Sequence, residues 1–439
     1  MKREAFSSKI GLILAAAGSA VGLGNIWKFP YIAGENGGGA FLLIYLACVI
    51  VFGVPLIMME LYIGKRSRKS PYGAFRALSG SGRWQWLSWL CVLTAVLIMG
   101  FYFVVTGWCF SYLSEALIGG FRGMSTDTLA EHFTAVTANT PRMLVFSILP
   151  VLVTSAVAWF AINKGIERMS KLLMPMLLLI MLIMVIRVLM LEGSMSGLRF
   201  FLHADFSKIT PDVFIQAMGQ CFFSLSIGMG TLVTYGSYMP QEQSLSQASV
   251  QVVILDTLVA FLAGVIIFPA VFSFGFNPAE GPQLVFVVLP AIFEQMSFSW
   301  LSGVLFFLLL GIAAITSTIS LMEVVVAFIG EATATTRHPL NRRTSVCIVT
   351  GIAVVLVVLC LLQQTAFSVF EQLTANYLMP LGALCMSVLV GWTLSRPDEA
   401  AYLNEKGFQP WMVKAFSFVL RWVVPAMILL VFLHGLNLF

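Results

Sequence analysis

Eleven long runs of nearly continuous apolar sequence organise this chain, over about 10–34, 40–64, 85–118, 143–161, 166–188, 213–238, 249–273, 299–330, 344–362, 369–395 and 415–434. Roughly 20 residues of α-helix cross ~30 Å of hydrocarbon, so each run has the length of a membrane span. The runs are continuously apolar and do not alternate, which predicts helices and not barrel strands. Two runs contain what a lipid-crossing helix should avoid. GSAVGLGNIWKFP, residues 18–30, carries three glycines, Asn25 and Lys28 in the first span; FFSLSIGMG, residues 222–230, carries Ser224, Ser226, Gly228 and Gly230 in the sixth. Each glycine weakens a helix by about 1 kcal/mol relative to alanine. Unwound backbone at this depth is tolerated only where it is buried or lines a cavity. The two segments hold corresponding places in two five-helix halves, spans 1–5 and 6–10, and such a pair points to the binding site of a transporter. Close helix packing at glycine is the structural alternative.

The chain of 439 residues is 59% hydrophobic and only 10% charged, far from the quarter charged that is typical of soluble domains. Lysine and arginine fix an expected orientation. With the N-terminus inside, eighteen fall on inner segments and five on outer ones (Arg122, Arg142, Arg187, Arg199 and Lys208), leaving Lys28 and Arg421 within spans. The expected location is the plasma membrane, as a multi-pass protein with a cytoplasmic N-terminus and an outer C-terminus. The net charge of +5 is largely this inner fringe, so no nucleic-acid partner is implied, and nothing in the sequence calls for an obligate protein partner. Lys2, Arg3 and Lys9 before a short apolar run resemble a secretory leader, but Asn25 and Lys28 inside the same span argue against one. The seven cysteines all fall in spans and read as small apolar fillers. The four histidines form no cluster with a nucleophile or metal-ligand set, so an enzyme is not expected. A channel would need a continuous polar lining, which is also missing.

GLILAAAGSAVGLGNIWKFPYIAGENGGGAF resembles the first-helix signature of the neurotransmitter:sodium symporters, GQCFFSLSIGMG the sixth-helix motif and KGIERMSKLLMP the fifth. The resemblance covers the whole chain and matches the eleven-helix bacterial variant. It implies an all-α polytopic membrane protein with the LeuT fold: a five-plus-five inverted repeat with broken helices 1 and 6, plus an eleventh helix. The transporter core would be residues 1–395, with repeats over about 10–188 and 213–395, followed by an inner loop and final span over 396–439. The implied function is sodium-coupled import of neutral hydrophobic L-amino acids, aliphatic and aromatic, by alternating access. A proton-coupled amino-acid transporter of the same fold is the alternative.

By this resemblance, two sodium ions are expected and no chloride. The first sodium would use the Ala20 carbonyl with Asn25, Ser224 and Asp256. The second would use the carbonyls of Gly18, Val21 and Ala313 with the hydroxyls of Thr316 and Ser317. Hard cations prefer such oxygen ligands. The substrate would be lined by Ile98, Tyr102, Phe223, Ser226, Met229 and Leu321, where many relatives carry Phe at the place of Met229. Its carboxylate would meet Leu23, Gly24 and Tyr102, and its ammonium the carbonyls of Ala20, Phe223 and Ser224. Amine carriers of the family hold an Asp at the place of Gly22, so a glycine here implies a substrate with its own carboxylate.

Charges within spans are functional by default, and here they are Lys28, Glu60, Asp256, Glu323 and Glu371. Glu60 is expected to support the unwound sixth helix, whereas Glu323 could line the aqueous route or form a pair near that helix. Lys28 stands where the family has an outer-gate Arg, but its usual Asp partner is replaced by Thr374, with Glu371 one turn away. Most relatives have Asn at the place of Asp256, and Ala260 occupies the position where several bacterial members carry an acid. Arg3 and Glu331 are expected to close the inner side, with Phe6 and Tyr238 packed nearby. Gly165 and Pro175 resemble the family's unwinding element in helix 5, and 281–297, split by Pro290, resembles its lid hairpin.

Overall fold

A computed structural model describes residues 5–80, 82–279, 284–296, 298–334, 336–393 and 410–435. All eleven apolar runs are helical among these residues. Nine are single helices: Gly39–Ser67, Gly82–Ile118, Thr140–Ala158, Ile166–Leu189, Leu245–Ser273, Ser299–Thr333, Arg342–Leu362, Gln364–Trp392 and Lys414–Leu433. The first span consists of Lys9–Ala20 and Gly24–Glu35, bent by 51°. The sixth consists of Pro211–Ser224 and Thr231–Ser237, separated by six residues. Helix starts follow from capping. The side chains of Thr210, Ser244 and Asn341 accept from backbone N–H groups three residues on, and Pro211 takes the first turn, where no N–H is needed. The third and eighth spans are the most enclosed, and the eleventh lies at the edge.

The two breaks lie side by side at the centre. Ser226 Oγ donates to the Ser19 carbonyl at 2.9 Å, joining the unwound stretch of the sixth span to the end of the first half-helix. The sixth-span break turns through left-handed backbone at Ser226 (φ 54°), Gly228 (φ 92°) and Gly230 (φ 79°). Glycine adopts that region freely, and serine at 226 is held there by its neighbours. A Cβ on Gly228 would also run into the Met379 carbonyl, so the tenth span packs directly on the break. Glu60 accepts from the Gly228 N–H at 2.7 Å, which is the support its position in the second span leads one to expect.

On the face that carries the N-terminal segment the molecule is closed. Phe6 packs edge-on against Tyr235 and Tyr238 at 5.9 and 6.3 Å, and its N–H donates to the Tyr238 carbonyl at 3.1 Å. Glu331 accepts from the Ser70 N–H at 2.7 Å; its expected partner Arg3 lies outside the described residues. Glu323 proves to be paired: it accepts from Tyr238 Oη at 2.7 Å and from both terminal nitrogens of Arg342. Residues 166–174 between Gly165 and Pro175 are helical, with Gly165 at the N-cap. Of the expected lid over 281–297, residues 281–283 and 297 lie outside the described residues; Pro290 lies within the short apolar helix Leu284–Gln295, after its wide turn over Leu284–Val288.

Candidate functional site

The break in the first span places Asn25 against the sixth and seventh spans. Asn25 Nδ2 donates to Ser224 Oγ at 2.8 Å, Asp256 Oδ1 at 2.8 Å and the Asp256 carbonyl at 3.1 Å. Ser224 Oγ donates to Asp256 Oδ2 at 2.8 Å. All three side chains are buried, and the cluster is rich in oxygen. Two residues complete it that the motifs left unmarked. Tyr45 Oη donates to Ser224 Oγ at 3.4 Å, and Gln220 Nε2 donates to the Gly24 carbonyl at 2.7 Å. Gln220 stands one helical turn before Ser224, so the spacing within GQCFFS was the available signal.

A second oxygen cluster lies where the eighth span meets the first. The Val21 carbonyl is 3.5 Å from Thr316 Oγ1 and 3.3 Å from Ser317 Oγ. Thr316 Oγ1 also donates to the Ala313 carbonyl at 2.9 Å. Gly18 faces the same threonine, the position of a Cβ there lying 3.4 Å from Thr316 Cβ. The structure thus brings together Gly18, Val21, Ala313, Thr316 and Ser317.

Between the clusters is a small cavity of about 30 Å³, lined by Ala20, Gly22 and Gly24 with Ile98, Tyr102, Phe223, Ser226, Met229 and Leu321, and by Ser19, Ser317 and Ser320. Ser19 and Ser320 were not anticipated. Tyr102 Oη accepts from the Leu23 N–H at 3.1 Å, fixing the ring over the first-span break. Tyr102 and Phe223 also line a larger cavity of about 370 Å³ on the opposite side from Phe6, together with Trp27, Lys28, Trp108, Phe133, Phe367 and Glu371. These two aromatic rings therefore form the partition between a vestibule and an enclosed seat.

Lys28 reaches this partition. Its Nζ lies 4.2 Å from the centroid of the Phe223 ring, a cation–π contact, and Glu371 shares the vestibule wall. Thr374 takes no part, because its Oγ1 bonds back to the carbonyls of Phe370 and Glu371 at 2.7 and 3.1 Å. Phe286 packs behind the vestibule wall, stacking on Phe133 and meeting Trp27, Trp108 and Tyr112 edge-on.

Comparison with known proteins accords with this geometry. The model of the Sodium:neurotransmitter symporter family matches residues 3–125 and 133–439. An uncharacterized sodium-dependent transporter of Bacillus subtilis is 37% identical, over 98% of this chain and 97% of its own. The sodium- and chloride-dependent GABA transporter 2 of Rattus norvegicus is 24% identical, over 99% of this chain and 80% of its own. The crystal structure of MhsT in complex with L-phenylalanine superposes with a TM-score of 0.89 at 36% identity, covering 99% of this chain and all of that one.

Proposed function

Because the chain belongs to the sodium:neurotransmitter symporter family, we propose that it imports neutral hydrophobic L-amino acids, aliphatic and aromatic, driven by sodium. The chain has the LeuT fold of its structural match and is a multi-pass membrane transporter, not an enzyme. The observation that carries the substrate class is at Gly22. Glycine supplies no carboxylate here, and the position faces two hydroxyls, with Ser317 Oγ and Tyr102 Oη 2.5 and 2.8 Å from where a Cβ would stand. The substrate brings its own carboxylate to this place, beside Tyr102 and the Asn25 cluster. The rest of the seat is apolar at Ile98, Phe223, Met229 and Leu321, which suits a hydrophobic side chain. The matched structure holds L-phenylalanine.

Two sodium ions would travel with the substrate. Asn25, Ser224, Asp256 and the Ala20 carbonyl would hold the first, and Gly18, Val21, Ala313, Thr316 and Ser317 the second. Both sets offer oxygen only, as hard cations require. The first set carries a fixed carboxylate, so chloride is not needed. With the N-terminus cytoplasmic in the plasma membrane, Phe6, Tyr238 and Glu331 seal the inner side, while Lys28 over Phe223 closes the outer one. The transporter core spans residues 1–395 as two repeats, about 10–188 and 213–395, and 396–439 adds the last span.

Uptake into proteoliposomes tests the function. The expected result is accumulation of leucine, phenylalanine and tryptophan under an inward sodium gradient. Equal uptake in sodium and choline would overturn the reading and favour a proton-driven carrier. Asn25→Ala and Ser317→Ala each delete an oxygen ligand, and bonds to charged groups contribute about 1.5–3 kcal/mol, so the sodium concentration for half-maximal uptake should rise about tenfold or more. Unchanged sodium activation in both variants would remove these residues from the ion sites.

Met229 should set the length of the side chain accepted. Its thioether is flexible and adapts to different partners. Met229→Phe puts a stiff ring into the seat, and overpacking costs about 1–3 kcal/mol, so tryptophan affinity should fall about tenfold more than leucine affinity. Equal losses, measured by competition against labelled leucine, would show that Met229 does not set pocket size.

A further inference from the structure

Far from the substrate seat, a cavity of about 570 Å³ opens at the turn joining the fourth and fifth spans, lined by Phe160, Asn163, Lys164, Arg168 and Lys171. Lys164 lies in the turn before the N-cap, Gly165, and Arg168 and Lys171 are one turn apart on the fifth helix. Lys164 and Arg168 are exposed and make no ion pair or side-chain hydrogen bond among the described residues. Beside these cations stand large apolar side chains exposed at the helix ends: Trp159, Phe160 and Leu172. Cations over an open cavity with room for a lipid headgroup, flanked by apolar surface at the end of two membrane spans, match an anionic lipid, headgroup in the cavity and chains along the helices. A soluble anion would use the cations but not the apolar flank.

The cavity borders the inner seal. Lys171 Nζ donates to Glu167 Oε1 at 2.6 Å, and Glu167 is buried. The same carboxylate accepts from the Ser7 N–H at 2.7 Å, from Ser7 Oγ at 2.7 Å and from Ser8 Oγ at 2.8 Å. A Cβ on Gly11 would overlap this carboxylate, so the N-terminal segment rests directly on it. Lys171 therefore stands between the cavity and the latch that holds the first span closed.

We propose that Lys164, Arg168 and Lys171 bind the phosphate of an anionic phospholipid, and that the bound phosphate competes with Glu167 for Lys171 and loosens the Ser7–Ser8 latch. The phosphate draws Lys171 outward and repels the carboxylate behind it. Glu167 then holds the N-terminal segment less firmly.

The test uses the full-length protein in nanodiscs of phosphatidylcholine doped with phosphatidylglycerol. Spin-labelled phosphatidylglycerol reports binding, and hydrogen exchange of the segment around Ser7 and Ser8 reports the latch. Lys164→Gln/Arg168→Gln should weaken phosphatidylglycerol binding about 25-fold, the product of about fivefold for each basic side chain near the surface. Arg76→Gln/Arg337→Gln removes the same charge from exposed positions elsewhere on this face and should leave binding within about twofold of the parent. Phosphatidylglycerol should speed exchange at Ser7–Ser8 in the parent and not in Lys164→Gln/Arg168→Gln. Equal binding by the two double variants would overturn the site. Displacement of the labelled lipid by millimolar inorganic phosphate, with exchange speeded equally in pure phosphatidylcholine, would overturn the lipid in favour of a soluble anion. Lipid binding without a change in exchange would overturn the link to the latch.

Discussion

Asp256→Ala is expected to abolish sodium-driven uptake, and Asp256→Asn to leave a carrier that works only when chloride is present. The argument starts from charge. A sodium ion and a substrate ammonium buried together leave water uncompensated unless anions stand beside them. The substrate carboxylate is one such anion. Asp256 is the acid within the Asn25 and Ser224 cluster, with both carboxylate oxygens engaged at 2.8 Å and no exposure to solvent. Removing one charge of a buried set costs about 3–5 kcal/mol, so Asp256→Ala should weaken sodium-coupled uptake by about 100-fold or more. Asn keeps the shape and one acceptor oxygen but not the charge, its amide nitrogen meeting Ser224 Oγ as a donor, and a chloride ion can then supply the charge. The similar rat transporter is named as chloride-dependent. Uptake is compared in chloride and gluconate. Chloride-stimulated transport by Asp256→Asn, with none in the parent, is the expected result. An asparagine variant that is fully active in both media would show that Asp256 only props the sixth span.

The breaks were legible because glycine and serine interrupt apolar runs whose length leaves no other role for them. Asn25 and Ser224 stood inside those interruptions, and Asp256 stood out as an acid in lipid. What the pattern hid were partners chosen across the fold. Lys28 reaches the Phe223 ring, 195 residues on, and ignores Thr374, because a threonine in a helix satisfies itself on the preceding turn. Glu167 carries no local mark of its contacts with Ser7 and Ser8, 160 and 159 residues away. Gln220 reads as an ordinary polar residue until the fold brings it to Gly24, whose carbonyl accepts the Phe29 N–H and takes a second bond from Gln220. Pro290 lies inside the helix Leu284–Gln295, where the wide turn before it accommodates a residue with no N–H to donate.

Arg342→Ala should be the most destabilising single change outside the transport site. Glu323 is fully buried on the eighth span, and Arg342 meets it with two parallel bonds, at 3.1 Å from Nη1 and 2.6 Å from Nη2. Arg342 Nε also donates to the carbonyls of Ala158 and Phe160 at 2.9 and 2.8 Å, where the fourth span ends. One guanidinium thus ties the fourth, eighth and ninth spans together, a task for its planar fork that lysine cannot copy. Removing it leaves a buried carboxylate without its guanidinium partner, held by Tyr238 Oη at 2.7 Å. Breaking a buried pair in this way costs about 3–5 kcal/mol, whereas replacing both partners is often nearly neutral. Thermal unfolding in detergent should therefore show a large loss for Arg342→Ala and recovery of most of it in Glu323→Gln/Arg342→Met, where the glutamine still accepts from Tyr238. A double variant as unstable as the single would mean that the carbonyl contacts at Ala158 and Phe160 carry the effect. Transport separates the two roles of the pair. Tyr238 is the residue on which Phe6 packs, so an unpaired Glu323 that pulls on Tyr238 disturbs the inner seal. Residual transport by folded Arg342→Ala should show faster sodium-independent efflux than the parent, and the double variant should restore the parent rate.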